Sequence, residues 1–147
     1  MNNKTKAPNF LGLIDENKHL SLSDFKGKYL VIYFYPKDKT SGCTLESQNF
    51  RDHLKMFKAK NCEVIGVSRD SIRSHKSFQD KESLNFPLVS DPDENMCNAY
   101  GVMKEKSMYG RKYMGTARTT FVIDEEGKIE EIIEKVKTKE HTAQILK

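Results

Sequence analysis

The sequence of 147 residues lacks the features that mark membrane, nucleic-acid-binding and secreted proteins. Its longest apolar run, residues 29–35, is too short for a transmembrane helix. Acidic and basic residues are interleaved without long blocks of one sign, so no basic tail or stripe indicates nucleic-acid binding. Residues 1–6 contain no apolar segment of the kind found in secretory signal peptides. We therefore expect a cytoplasmic protein that binds neither membranes nor nucleic acids.

Cysteine is also scarce, with only Cys43, Cys62 and Cys97. They are odd in number, far apart and never arranged as Cys-x-x-Cys. A structural zinc site needs four ligands at short spacing, and the four histidines supply no His-x3-His partner. A disulfide framework needs an even and dense set. We therefore predict no metal site and reduced cysteines, each either buried or individually reactive.

The residues that are present favour one folded domain spanning residues 1–147. Eight Phe and six Tyr are too many for a disordered chain. A chain of this length buries about two-thirds of the surface that its unfolded form exposes, which is enough for a hydrophobic core. The net charge of +4 is only mildly basic.

Hydrophobic patterning predicts alternating strands and helices. The run 29–35 is apolar and aromatic throughout, which is typical of a central strand covered on both faces. Pro36 ends this strand because proline cannot donate to a β-ladder. The predicted elements are a hairpin at 10–14 and 19–22, strand 29–35, helix 43–60, strand 62–68, helix 71–84, strand 86–89, helix 91–100, a hairpin at 119–123 and 128–133, and a last short helix from about 138.

This order predicts an α/β layered domain. The first crossovers require parallel strands, and the closing hairpin adds antiparallel ones. The arrangement is that of a thioredoxin-like fold with an N-terminal hairpin and an inserted helix. Ligands and catalytic groups in such sheets lie at the carboxyl ends of the parallel strands. The segment from Pro36 to Cys43 is predicted to lie there.

Cys43 falls in the first turn of the predicted helix 43–60. Free backbone N–H groups and the positive end of the helix dipole favour its thiolate. Thr40 can place a hydroxyl beside the sulfur, where it would form a hydrogen bond with an incoming oxygen. Pro36 would cover one side of the site with an apolar surface that excludes water. A small buried cysteine at a helix start would give the same local pattern, so the residues alone leave both interpretations open.

The segment Tyr35-Pro36-Lys37-Asp38-Lys39-Thr40-Ser41-Gly42-Cys43-Thr44-Leu45-Glu46 resembles the active-site segment of peroxiredoxins. Its spacing is proline, three residues, threonine, two residues, cysteine. The fuller string is similar to the Q-type, or bacterioferritin comigratory protein, subfamily. The resemblance covers nearly the whole chain and continues in residues 28–35, 66–70, 88–93, 100–102, 109–115 and 118–124.

The resemblance implies a thiol-dependent peroxidase that needs no cofactor and reduces hydrogen peroxide and organic hydroperoxides. Cys43 matches the peroxidatic cysteine, whose thiolate becomes a sulfenic acid. Thr40 matches the threonine that bonds the peroxide, and Pro36 the proline that shields the pocket. Arg118 matches the arginine beside the sulfur.

Glu46 lies on the same predicted helix stripe as Cys43 and Phe50, so it points inward. A buried carboxylate needs a partner, most often a guanidinium. We infer that Glu46 orients an active-site arginine such as Arg118. An ordinary first-turn glutamate favoured by the helix dipole fits the sequence equally well.

The sequence departs from the family pattern at the resolving cysteine. Many Q-type members carry it five residues after the peroxidatic one, where this chain has Gln48, or in the helix at 71–84, which here has none. Cys62 lies about 25 Å from Cys43 along the intervening helix, which is too far for a disulfide between them. We therefore interpret Cys62 as a buried core residue without a role in the reaction. Cys97 is also interpreted as a buried core residue, on the packed face of the predicted helix 91–100. The alternative is that Cys97 is the resolving cysteine.

We therefore predict a one-cysteine cycle in which thioredoxin, glutaredoxin or a small thiol reduces the sulfenic acid. The resemblance suggests a monomer or a weak homodimer. One alternative function is a thiol–disulfide oxidoreductase, which Thr40 weakens because it stands where a second cysteine would be needed. The other is a non-enzymatic chaperone or binding module on the same scaffold.

Overall fold

A mixed sheet forms the centre of the computed structural model, which describes residues 5–134, 136 and 145. Within these residues the sheet contains seven strands: β1 (Leu11–Asp15), β2 (Lys18–Ser21), β3 (Tyr29–Phe34), β4 (Cys62–Ser68), β5 (Leu88–Ser90), β8 (Thr119–Ile123) and β9 (Ile129–Ile133). They lie in the order β2-β1-β5-β4-β3-β8-β9.

The sheet has the predicted mixture of strand directions. Strands β3, β4 and β5 run parallel, and β8 pairs antiparallel with β3. The helices that connect them are α1 (Ser41–Ala59), α2 (Ile72–Glu82) and α3 (Asn95–Ala99). This arrangement confirms the predicted α/β architecture with a hairpin at each end of the sheet. It also puts the carboxyl end of β3 next to the start of α1.

Strand β3 divides the core in two because its side chains alternate between the faces of the sheet. Leu30, Ile32 and Phe34 pack on one side, in a cluster that includes Cys97. Val31, Tyr33 and Tyr35 pack on the other, together with α1. Both sets are buried, as expected for a central strand covered on both faces.

Helix α1 packs through the predicted stripe, which agrees with a helical period of 3.6 residues. Cys43, Glu46, Phe50, Leu54 and Phe57 are all buried. The stripe runs the length of the helix, so it fixes the rotation of the first turn as well as the middle. That rotation directs Cys43 and Glu46 inward together.

A second hairpin lies within residues 101–118, where the sequence pattern predicts no element. It consists of β6 (Met103–Met108) and β7 (Arg111–Thr116), joined at Tyr109 and Gly110. Both turn residues have positive φ angles, 53° and 77°, as a two-residue hairpin turn requires. The pattern was missed because most residues of this hairpin are exposed and carry no apolar alternation.

Other predicted boundaries differ from the structure by a few residues. The connector after β2 forms a short 3-10 turn, Leu22–Phe25. The predicted helix from about residue 138 lies outside the described residues. No helix among the described residues is both long enough and apolar enough to cross a membrane.

Candidate active site

Cys43 lies in the first turn of α1, just beyond the carboxyl end of β3. Its side chain is completely buried. The first N–H groups of a helix lack carbonyl partners within it, and they stabilise negative charge placed in the first turn. The fold therefore puts the sulfur where an anion is favoured and bulk water is excluded.

Arg118 joins Cys43 to Glu46 through the two arms of one guanidinium. Its Nη2 donates to the sulfur at 3.3 Å, and its Nη1 donates to Oε1 of Glu46 at 2.7 Å. Arg118 immediately precedes β8, and the β3–β8 pairing carries it to the carboxyl end of β3. The structure thus brings Arg118 into contact with Glu46 and Cys43, which lie 72 and 75 positions before it in the sequence.

Glu46 is a buried carboxylate held by this arginine. Burial raises its pKa to about 7, against the opposing charge and hydrogen bond of Arg118. Burial also disfavours the charged guanidinium, but Glu46 and Cys43 outweigh this and raise the pKa of Arg118. Of the two interpretations of Glu46, the inward one that pairs with Arg118 describes the structure.

The raised pKa of Glu46 makes a stability prediction. Between pH 4.5 and 7 the folded chain keeps a proton that the unfolded chain releases, so stability falls as pH rises through this window. Glu46→Gln removes this titration. We expect the parent protein to lose about 1–3 kcal/mol relative to Glu46→Gln between pH 4 and pH 8, measured by urea unfolding. Glu105→Gln, a change at an exposed carboxylate, is the control and should show no such trend; a constant difference for Glu46→Gln would contradict the prediction.

Thr40 and Pro36 lie on the loop between β3 and α1. Thr40 is exposed, and its hydroxyl donates to the carbonyl oxygen of Lys37 at 2.8 Å. Pro36 is half-buried at the end of the strand. A small molecule can therefore reach the Thr40 hydroxyl, whereas the sulfur three residues further along is covered.

The other two cysteines lie in unreactive surroundings. Burial, with the carboxylate of Glu63 next to it, raises the pKa of Cys62 to about 12. Burial and the carboxylate of Asp91 raise the pKa of Cys97 well above its ordinary value. Cys97 also belongs to the core cluster on the opposite face of β3 from Cys43. A disulfide between Cys43 and Cys97 would require part of the core to open.

The structure places one further cation near the site, Lys106, which is not expected from the sequence. Lys106 lies on β6 and donates to the carbonyl oxygen of Thr116 at 2.6 Å, two residues before Arg118. Burial and repulsion from Arg118 lower the pKa of Lys106. No pattern in the sequence pointed to it, because its position depends on a hairpin that was not predicted. Within the described residues, no group of histidine, cysteine and acidic side chains is arranged to hold a metal ion.

Comparison with known proteins shows which family the chain belongs to. The model of the AhpC/TSA family matches residues 4–132. The chain belongs to the AhpC/TSA family. It is a peroxiredoxin, and thus a thiol-dependent peroxidase.

Curated relatives match this peroxiredoxin over most of their length. A protein named putative peroxiredoxin bcp, from Coxiella burnetii, is 48% identical, and the match covers 96% of this chain and 93% of that protein. Peroxiredoxin Bcp of Bacillus subtilis is 44% identical, with 96% and 90% covered. Both names agree with the Q-type resemblance seen in the sequence.

Solved structures agree with the fold. A cysteine-to-serine variant of Xylella fastidiosa PrxQ superimposes on this peroxiredoxin with a TM-score of 0.93 at 39% identity, covering 99% of this chain and 93% of that one. The bacterioferritin comigratory protein of Xanthomonas campestris, studied for alkyl peroxide reduction, gives 0.92 at 38% identity, with 99% and 94% covered. The thioredoxin-like fold predicted from the sequence is confirmed.

Proposed function

We propose that Cys43 is the peroxidatic cysteine of this peroxiredoxin. The observation that carries the proposal is the 3.3 Å hydrogen bond from the Arg118 guanidinium to its sulfur. A buried thiolate needs a compensating cation, and the Arg118 guanidinium, whose other arm donates to Glu46, supplies one. Cys62 and Cys97 have no comparable partner among the contacts described above.

The first half of the cycle is a displacement at oxygen. The Cys43 thiolate attacks one peroxide oxygen, an S–O bond forms and the O–O bond breaks. The sulfur is oxidised by two electrons to the sulfenic acid, and the other oxygen leaves as an alcohol or as water after it takes up a proton. Negative charge moves from the sulfur to the leaving oxygen, so a cation within reach of both lowers the barrier.

The other site residues have supporting roles in this proposal. The second arm of Arg118 is held by Glu46, which fixes the plane of the guanidinium. Thr40 binds the incoming peroxide through its exposed hydroxyl, and Pro36 covers the side of the site. Lys106 adds positive charge without touching the sulfur.

The second half of the cycle uses an external thiol. One thiol attacks the sulfenic sulfur and releases water, and a second thiol reduces the resulting mixed disulfide. Gln48 and the α2 helix offer no cysteine, and Cys97 lies across the sheet, which supports a one-cysteine cycle. We expect thioredoxin, glutaredoxin or a small thiol as the reductant, in the cytoplasm, with the peroxiredoxin acting as a monomer or weak homodimer.

Thiol mapping tests this cycle. The protein is treated with one equivalent of hydrogen peroxide in the presence of dimedone, which traps sulfenic acids, and then digested for mass spectrometry. We expect the adduct on Cys43, with Cys62 and Cys97 as free thiols. The Cys43→Ser variant should give no adduct. An intramolecular Cys43–Cys97 disulfide in the parent protein would defeat the one-cysteine cycle.

A further inference from the structure

A buried aspartate–histidine pair holds the loop that precedes Cys43. Oδ2 of Asp38 lies 2.8 Å from Nδ1 of His75, and the two side chains are 2% and 3% exposed. Asp38 lies midway between Pro36 and Thr40, whereas His75 lies on α2. The contact therefore ties the loop of the site to a helix that contributes no side chain to the sulfur contacts described above.

Both ring nitrogens of His75 lie next to oxygen atoms that can accept a hydrogen bond. Nε2 lies 3.0 Å from the carbonyl oxygen of Val89, which can only accept. The hydroxyl of Ser68, near Nε2, donates to Asp70, and that of Tyr35, near Nδ1, donates to Asp38. Neither hydroxyl has a second proton to give to the ring. Nδ1 of His75 therefore faces the carboxylate of Asp38, and Nε2 faces a backbone carbonyl oxygen.

The remaining partners of Asp38 agree with an ionised carboxylate. It accepts from the hydroxyl of Tyr35 at 2.6 Å and from the hydroxyl of Ser74 at 2.8 Å. Burial alone would raise the pKa of Asp38, but the hydrogen bond and charge of His75 lower it below its ordinary value. Three donors thus converge on one buried carboxylate, which is the pattern of a fully satisfied anion.

The backbone of the loop is held as well. The Asp38 amide donates to Oδ2 of Asp70 at 2.9 Å. Lys39, the next residue, has a φ angle of 64°, a conformation that costs a non-glycine residue free energy and persists only where its surroundings hold it. The hydroxyl of Thr40 is then bonded within the loop, to Lys37. The loop keeps its shape because Asp38 is anchored on both its side chain and its amide.

We propose that Asp38 and His75 are positioning residues for the peroxidase reaction, because their buried hydrogen bond holds Thr40 where the peroxide must bind. This inference rests on the proposed function of Cys43 and Thr40. His75 contacts Asp38 and not the sulfur, so its effect passes through the loop. Loss of the Asp38 contact should slow attack on peroxide while the sulfur keeps its own neighbours, Arg118 and the start of α1.

Two substitutions of His75 separate its two contacts. In His75→Asn the side-chain amide takes the place of Nδ1 and still donates to Asp38. In His75→Gln the longer side chain takes the place of Nε2 and donates to Val89 instead. Both leave a neutral amide in the same buried space, so a merely structural role would affect the two alike. Lys76→Gln, on the exposed side of α2 and paired with Asp15, is the control.

The measurement is the second-order rate constant for oxidation of Cys43 by hydrogen peroxide, with the pH profile of iodoacetamide alkylation as a second readout. We expect His75→Gln to be at least about tenfold slower with peroxide, His75→Asn to stay within about threefold of the parent, and Lys76→Gln to be unchanged. The alkylation profile should stay where it is in the parent for all three, since the charges at the sulfur are untouched.

Equal losses in the two His75 variants, or a folded His75→Gln with the parent rate, would overturn the proposal. If neither variant folds, Asp38→Asn is tested, which is nearly isosteric and replaces one of the two accepting oxygens with an N–H donor group. It should also be at least about tenfold slower with an unchanged alkylation profile, and a parent-like rate would overturn the proposal. A parent protein that leaves peroxide unreduced would overturn the proposed function, and this inference with it.

Discussion

Replacing Cys43 with serine is expected to abolish peroxide turnover. Hydrogen peroxide consumption with dithiothreitol as the reductant should fall by at least about 1,000-fold, because a serine hydroxyl is not ionised at neutral pH and forms no sulfenic acid. Serine is close in size to cysteine, so the packing of α1 is retained. Circular dichroism and thermal unfolding check that the variant is folded.

The other two cysteines are the matched controls for this loss. Cys62→Ala and Cys97→Ala remove the two other buried thiols, whereas the Arg118 guanidinium donates to Cys43. We expect both to keep turnover within about threefold, with a loss of about 1–2 kcal/mol of stability from the small cavities. Turnover that persists in Cys43→Ser would favour the binding-module alternative and contradict the assignment of the peroxidatic cysteine.

Arg118→Met is expected to have the second largest effect. The rate constant for oxidation of Cys43 by peroxide should fall by about 100- to 1,000-fold, the range seen when one preorganised donor is removed from a site where charge develops. Arg118→Lys should recover only part of this rate. A lysine ammonium lacks the planar fork that reaches Cys43 and Glu46 together.

A double variant separates the chemistry of Arg118 from its structural effect. Arg118→Met alone leaves the Glu46 carboxylate buried without its cation, which costs about 3 kcal/mol or more. Adding Glu46→Gln removes that charge, so stability should recover while the rate stays low. A rate that recovers together with stability would mean that Arg118 acts through folding alone.

The ion pair of Arg118 and Glu46 is not the arrangement that would stabilise the folded protein most. The side chain of Glu46 is fully buried, and even its ion pair leaves its pKa at about 7. A pair of apolar residues would fill the same space at less cost. This supports the proposal that Glu46 orients the guanidinium beside Cys43.

The sequence determined the main elements of the fold because their signals are local. Seven consecutive apolar residues at 29–35 predict a central strand, and the spacing of Phe50, Leu54 and Phe57 predicts one buried helix face. The hairpin of β6 and β7 gave no such signal. Its side chains are mostly exposed, so its sequence shows no alternation of apolar and polar residues from which strands could be predicted.

The sequence also indicated the candidate nucleophile, because the proline, threonine and cysteine within residues 36–43 carry the resemblance to the active-site segment of peroxiredoxins. It left open whether Glu46 meets Arg118, and nothing in it indicated a contact between Asp38 and His75. Those contacts join residues 72 and 37 positions apart. Only the pairing of β3 with β8 and the packing of α2 against the sheet bring these residues together. A buried charged group is stabilised by the partner that lies next to it in the folded protein, and that partner can be far away along the chain.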